Sequence, residues 1–503
     1  MAHTLPMPTR PFDFERTVPL RIVQPVDTPA AAADRAPELA RQPEPRQVGL
    51  QVIADRDGLA LGHELLFRGG DHDDARGITS GLQATCEVLA TAVLDLGLPR
   101  RARGLTWFVN VDLATLMGPV VEAVSPDWAV IELLETIVAT PEVIARVRDL
   151  HQRGYRFALD DIDSPLDTRW TLIEWVEFIK IDWRLTAPAN LPAMLTLARW
   201  HGVKLIAEKL ETQADIDAAK ALGFDLMQGH GIARPSVVKA PCLPACSRQV
   251  IRRLQLLIQH GASNESIAIA LAADPATALR VWQLAGMSDH RLSPMDAPNC
   301  LADLIRMLPR HQLQAWLAVL TLTDTGLADR PWTYVGLVNA RLMALLARRV
   351  APTQVALSDE AYMLGLLDHI RTTLGIAYRD PDHGVRAGAR IEQAARQRSG
   401  LLGALLAFVQ GHVRQPSGWL PGPLAAMPGL ALSLQAIFGE AHRWASERVR
   451  SDPILDADGP PSKGRPVSPT PGSGTPTTFN PSVVVPRRSR DFWVVLPRRQ
   501  HPQ

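Results

Sequence analysis

The chain has 503 residues, which at roughly 150 residues per domain allows two or three domains. Hydrophobic residues make up 46% and charged residues 21%, as in folded soluble proteins. Lys and Arg number 53 against 52 Asp and Glu, a formal charge of +1, so the chain lacks the basic surplus that general nucleic-acid binding needs. The 41 prolines are too many for a chain folded throughout, and segments without a core are expected. Four cysteines (Cys86, Cys242, Cys246 and Cys300) cannot build a disulfide framework and suit a reducing cytoplasm. Cys242 and Cys246 stand four apart, but no second Cys or His pair at zinc spacing accompanies them.

Residues 1–46 are rich in Pro, Ala and scattered charge, show no apolar period, and read as disordered. Pro6, Pro8 and Pro11 interrupt the start, so no secretory signal is expected there. Residues 47–238 follow another rhythm. Short β-rich runs occur at Val48–Ala54, Trp107–Val111, Ala129–Leu134, Arg156–Asp160, Phe178–Asp182, Lys204–Glu208 and Leu226–Gln228. Helical patterns lie between them at Thr79–Leu98, Pro141–Gly154, Leu191–Gly202 and Thr212–Gly223, several closing on glycine. Such alternation implies parallel strands with crossover helices, and this many units suggest a TIM-like (β/α) barrel. Residues 239–450 are helical throughout in pattern, an all-α region that joins the barrel near Pro235–Pro244. The longest uncharged run, Gln415–Gly439, carries four prolines and is a poor membrane span. Residues 451–503 form a Pro-rich disordered tail holding an apolar knot, Asp491–Pro497, between arginines.

In a (β/α) barrel, chemistry gathers where the strands end. Taken in order, those positions hold Glu64, Asn110, Glu132 and Glu135, Asp160 and Asp161, Lys180 and Asp182, Glu208 and Glu211, and Gln228. One acid at a strand end is ordinarily a helix cap or a surface residue. An ordered set of them is different, because it converges on one mouth too acidic to stand without cations. Hard oxygen donors of this kind suit Mg²⁺ or Mn²⁺. A pair of such ions can activate water and clamp a phosphoryl centre, and a lysine beside the water can orient it.

At these residues the sequence resembles the EAL-domain phosphodiesterases of cyclic di-GMP, over about residues 48–235. Glu64–Arg68 (ELLFR) matches the EAL-x-R signature, with Leu65 in place of Ala. Glu132–Glu135 matches E-[LI]-T-E, Ala158–Asp161 the start of DDF-G-T-G, and Phe178–Asp182 the L-K-I-D strand. Leu205–Glu211 matches V-I-A-E-G-V-E, and Leu222–Pro235 the closing LG-x4-QGY-x-F-x-x-P. The resemblance implies that Glu64, Asn110, Glu132 and Asp160 hold a first metal. Asp160, Asp161 and Glu208 would hold a second. Lys180 would orient the attacking water, with Asp182 and Glu208 in the catalytic set. Leu66, Arg68 and Gln228 would meet substrate, and Glu135 and Glu211 would support the loop after Asp161. The implied reaction is hydrolysis of cyclic di-GMP to linear pGpG.

Two departures from that pattern matter most. The family's F-G-T-G-Y-S-S is replaced by Ile162–Thr168 (IDSPLDT), which lacks both glycines and contains Pro165. The glycine of A-E-G-V-E is Lys209. A weak second binding position and slow turnover by the barrel alone are the expectation. Gly69–Asp73 resembles the GGDEF motif of diguanylate cyclases, but only 68 residues precede it, too few for that domain.

The helical half resembles an HDOD domain in Ile267–Leu284 and Ala436–Val449. It has no His-Asp dipeptide of the kind HD hydrolases use, which points to a scaffold or regulatory role with a protein partner. A homodimer is compatible with the family, and no membrane partner is expected. Two readings stand: a two-metal phosphodiesterase, or a catalytically impaired EAL–HDOD protein that senses cyclic di-GMP or binds a protein.

Overall fold

The computed structural model describes residues 46–68, 80–240, 243–287, 297–323, 330–376, 385–414 and 430–450. Residues 1–45 and 451–503, with the Asp491–Pro497 knot, lie outside the described residues, as do Gly69–Asp73, Cys242 and 415–429 of the uncharged run. Arg46, assigned from sequence to the disordered segment, is held in the fold: Nη2 donates to the Thr323 carbonyl at 2.7 Å.

Strands β1 (Gln47–Asp55) and β2 (Ala60–Phe67) form an antiparallel hairpin. Asp55 Oδ1 closes its short turn by accepting the amides of Asp57 and Leu59, each at 2.9 Å. So short a connection has no room for a crossover helix, and β1 therefore runs against its neighbours instead of parallel to them as the rhythm implied. From β2 the order is parallel through β3 (Thr106–Val111), β4 (Ala129–Leu133), β5 (Phe157–Ile162), β6 (Phe178–Asp182), β7 (Lys204–Glu208) and β8 (Leu226–Met227). Pairing of Ala54 with Met227 joins β1 to β8 and closes an eight-stranded barrel. A ninth strand, β9 (Ser236–Lys239), pairs antiparallel with the first half of β1. All seven strands expected from sequence are present, their ends within about two residues; β2 and β9 were not among them.

Strand alternation builds the interior in layers. Ile53, Phe108, Val130, Ala158, Phe178, Ile206 and Leu226 form an apolar plug, one residue from each of seven strands, with Leu61 of β2 packed on it. Phe108 and Phe178 meet edge to face across it, with ring centres 5.3 Å apart. Two residues beyond six of the plug residues come Asn110, Glu132, Asp160, Lys180, Glu208 and Gln228. A step of two returns to the same face, so a polar layer stands on an apolar floor at the ends of the strands.

The crossover helices Pro141–Gln152, Leu191–Trp200 and Gln213–Leu222 match the sequence patterns. The last begins with a Thr212–Asp215 capping box and ends on Gly223 in the left-handed region. The pattern over Thr79–Leu98 is instead an α-helix, Gly81–Leu89, running into a π-helical turn, Ala90–Asp95.

The helical region holds Arg248–Gln259, Asn264–Leu271, Pro275–Ala285, Leu301–Met307, Arg310–Thr323, Arg330–Val350, Val355–Leu374, Ala389–Gln397, Gly400–Arg414 and Leu430–Arg450. Helix Arg310–Thr323 lies against the 3-10 turn Val120–Ala123 and helix Gly81–Leu89 of the barrel. One continuous apolar core runs from the barrel's outer layer into these helices. Asp368 and His369 sit in helix packing: Asp368 Oδ2 accepts from Gln410 Nε2 at 2.6 Å, and the His369 ring lies 4.8 Å from that of Trp332. Among the described residues no helix is long and apolar enough to cross a membrane.

Phe178 is fully buried in the plug, directly below Lys180 on the same strand. Phe178→Ala is expected to cost about 3–5 kcal/mol of unfolding free energy through the cavity it leaves. Urea unfolding of the full chain measures this, and a loss under about 1 kcal/mol would contradict a packed floor.

Candidate active site

The centre of the polar layer is Lys180, whose side chain is 1% exposed. Its Nζ lies 2.7 Å from Glu132 Oε1, 2.8 Å from Asp160 Oδ1, 2.8 Å from Glu208 Oε1 and 3.3 Å from Glu64 Oε2. Four strands thus deliver four carboxylates to one ammonium. Asn110 Nδ2 donates to Glu64 Oε1 at 2.7 Å, and Gln228 Nε2 donates to Glu64 Oε2 at 2.5 Å. The residues named from sequence as first-metal ligands are therefore brought to one place.

An ammonium has three protons and one charge, so it cannot neutralise four carboxylates. Burial drives Glu132 well above the usual carboxylate range; Lys180 pulls against it, while the charges of Glu64 and Asp160 add to the rise. Glu208 is also raised well above that range, by burial first and then by Asp160 and Glu64 against the pull of Lys180. Burial pushes Glu64 up too, but Lys180 and the Asn110 and Gln228 hydrogen bonds outweigh it and leave its pKa below the usual value. Burial disfavours the Lys180 charge, yet the four carboxylates win and raise its pKa well above that of a free lysine.

The layer also contains oxygens with no donor. Among the described residues, Asn110 Oδ1, Gln228 Oε1, Glu132 Oε2 and Glu208 Oε2 are buried without a hydrogen bond. Buried acceptors are ordinarily satisfied. Unsatisfied oxygens around an excess of negative charge fit a hard divalent cation, and the residues present suit Mg²⁺ or Mn²⁺.

A second cluster lies toward the rim. Glu135, Asp160 and Asp161 offer carboxylate oxygens within 4.8 Å of one another. Lys209 Nζ lies 2.7 Å from Asp161 Oδ1 and 2.6 Å from Asp182 Oδ2. Asp182 Oδ1 accepts the amides of Arg184 and Leu185 at 2.8 and 2.9 Å. Burial raises the Asp182 pKa, but Lys209 and those two amides outweigh it and hold it low. Glu211 is exposed and pairs with Arg184, in the loop after β6 and not the loop after Asp161. Gly229 lets the end of β8 pass the β7 loop: a Cβ there would stand 2.2 Å from the Leu210 carbonyl.

Arg68 lies over β1. Its Nη1 donates to the Phe67 carbonyl at 3.1 Å, and a Cβ on Gly49 would come within 3.0 Å of its guanidinium carbon. Leu66 pairs with Gly49 in the hairpin register and is half-buried beside it.

Sequence reasoning missed Arg169. It is 1% exposed, and its Nη1 donates to the Leu133 carbonyl at 3.0 Å and the Asp160 carbonyl at 2.6 Å. Its Nη2 pairs with Asp167 Oδ2 at 2.7 Å. Trp170 Nε1 donates to the Ser164 carbonyl at 2.9 Å. The altered loop Ile162–Thr168 is thus pinned to the ends of β4 and β5 by side chains just after it. The available signal was the spacing of Asp167 and Arg169, an acid and a base two residues apart at the start of a helical turn.

Residues 103–235 match the family model described as EAL domain. Glu64, Leu66 and Arg68 lie before the matched stretch. The chain is similar to the uncharacterized protein YuxH of Bacillus subtilis, at 25% identity over 65% of this chain and 80% of that protein. It is similar to the cyclic di-GMP phosphodiesterase CdgJ of Vibrio cholerae, at 22% identity over 71% of this chain and 83% of that one. Both alignments, 336 and 363 residues long, are longer than the barrel. A solved structure of Klebsiella pneumoniae BlrP1 with calcium and cy-diGMP overlays 39% of this chain and 58% of that one, at 19% identity and a TM-score of 0.34.

Glu132→Gln keeps shape and removes one of the crowded charges. It is expected to raise the melting temperature of the metal-free protein by about 2–4 °C, about 1 kcal/mol, and to weaken Mn²⁺ binding at least about tenfold. A carboxyl raised in the folded state favours the fold most at low pH, and that advantage fades as pH rises. The gain from Glu132→Gln should therefore grow as pH rises above the ordinary carboxylate range. Thermal unfolding with and without Mn²⁺ reads both effects; a metal-free variant that melts lower would contradict the crowding. The stretch that matches the EAL domain model, residues 103–235, falls within the barrel.

Proposed function

We propose that the chain is a signal-transduction protein that hydrolyses cyclic di-GMP to linear pGpG. The observation that carries this is the ring of oxygen ligands on successive strand ends around a buried lysine. The EAL match and the similarity to a named cyclic di-GMP phosphodiesterase support the substrate.

In this reading Glu64, Asn110, Glu132 and Asp160 hold one Mg²⁺ or Mn²⁺, and Asp160, Asp161 and Glu208 receive a second. When bound, such ions supply Lewis acidity toward a phosphate oxygen and a nucleophile at neutral pH. Lys180 keeps its proton under four carboxylates and presents Nζ–H to the attacking water. Asn110 and Gln228 fix both oxygens of Glu64. The apolar plug excludes bulk water from below, which strengthens every charge interaction above it. Arg68 offers its guanidinium to a substrate phosphate, with Leu66 beside it and Gln228 lining the floor. Asp182 takes no proton in this scheme; it is held ionised by two amides and Lys209 and shapes the rim.

The helical half is an HDOD-like regulatory or scaffold region that binds a protein partner. Alignments that outrun the barrel and a core shared with it support a coupled role. The free thiols of Cys86, Cys246 and Cys300 suit the cytoplasm. A second reading, a sensor that binds cyclic di-GMP without cleaving it, is favoured by Lys209, whose ammonium occupies Asp161 and Asp182.

The full chain, incubated with cyclic di-GMP and Mn²⁺, is expected to give pGpG on chromatography. Lys180→Ala is expected to lower turnover about 10²–10³-fold while leaving nucleotide binding within a few-fold, since the lysine acts on water in the transition state. Tight binding by the wild type with no pGpG would establish the sensor reading. Unchanged turnover in Lys180→Ala would remove the lysine from the chemistry.

A further inference from the structure

Among the described residues three non-glycine positions take positive φ, and two of them face each other across the rim: Asp161 at +46° and Lys209 at +57°. A side chain in this region carries backbone strain. Lys209 stands where the resembling sequences place glycine, the residue such a backbone favours. Its Nζ bridges the carboxylates of Asp161 and Asp182, so the lysine returns ion-pairing to a site its backbone does not favour.

The two halves of the mouth differ in what they lack. In the inner half the buried oxygens of Asn110, Glu132 and Glu208 have no donor. In the outer half both oxygens of Asp182 are served, one by two backbone amides and one by Lys209, and Asp161 Oδ1 is bound to the same ammonium. The Lys209 side chain is 45% exposed and reaches in from solvent, whereas Lys180 is walled in at 1%. Lys209 can therefore withdraw without unpacking the barrel.

From this geometry we infer that Lys209 is a tethered cation standing in for the second divalent ion. The inference rests on the metal reading above. Lys209 pairs with both Asp161 and Asp182 and offsets one of their two charges, so one divalent ion binds tightly in the inner half and the second, which needs Asp161, binds only by displacing the ammonium. Slow turnover at low metal, with cyclic di-GMP still bound, is the consequence. Lys209 acts here as a positioning residue; it is assigned no contact with substrate.

The test is Mn²⁺ titration of the full chain by calorimetry, with free ion counted by electron paramagnetic resonance. Wild type is compared with Lys209→Gly and Lys209→Met. Glycine suits the backbone, and methionine keeps the bulk and strain but removes the charge. Wild type is expected to bind one ion tightly, and both variants to gain a second site at least about tenfold tighter than any weak second site of the wild type. Two equally tight sites in the wild type would overturn the inference. So would a second site gained by Lys209→Gly alone, which would assign the effect to backbone strain. One site in all three proteins contradicts this inference while leaving the metal reading intact. No binding in any of them contradicts both.

Discussion

Everything in the mouth follows from one imbalance: four buried carboxylates around one buried ammonium. Glu64, Glu132, Asp160 and Glu208 come from four strands, and Lys180 from a fifth. A fold that maximised only its own stability would not gather them, because buried charges gain from pairing only when the pairing is complete. Here it is incomplete by count, and several oxygens lack donors. The arrangement makes sense as a receptor for positive charge, with Lys180 as the permanent part and divalent ions as the exchangeable part.

The barrel makes such an imbalance tolerable by placing it in one layer. The apolar plug beneath is built from the same strands two residues earlier, and a step of two points both layers inward. Hydrophobic burial below offsets electrostatic cost above. The rim is handled separately. Arg169 ties the carbonyls of Leu133 and Asp160 to Asp167, so the loop that lost its glycines and gained Pro165 still holds the end of β5 in place. Anchoring by a buried guanidinium replaces backbone freedom, and Lys209 extends the same logic to the facing loop.

The strand ends were legible because each strand writes its interior face as an apolar residue followed two positions later by a polar one: Phe108 and Asn110, Val130 and Glu132, Phe178 and Lys180, Ile206 and Glu208. The run of strands with helices between them gave the barrel. What sequence could not show was who touches whom. Lys209 was visible as a missing glycine, but its reach to Asp161 and Asp182 joins residues 48 and 27 positions apart. Arg169 was not singled out, because nothing local says that its partners are two strand-end carbonyls. The reversed β1 was hidden because its direction depends on a short turn, and β2 carries too little alternation to stand out.

The central claim is that the carboxylate layer is a divalent cation site, and its most direct measurement is the melting temperature of the metal-free full chain as Mn²⁺ is added. Binding to the folded state alone stabilises by mass action, about 2.7 kcal/mol at a hundredfold excess over the dissociation constant. The account predicts a saturable rise of several degrees in the wild type, and none at the same concentrations in a variant carrying both Glu64→Gln and Glu132→Gln. A wild-type melting temperature indifferent to Mn²⁺ and Mg²⁺ at millimolar concentrations would contradict it.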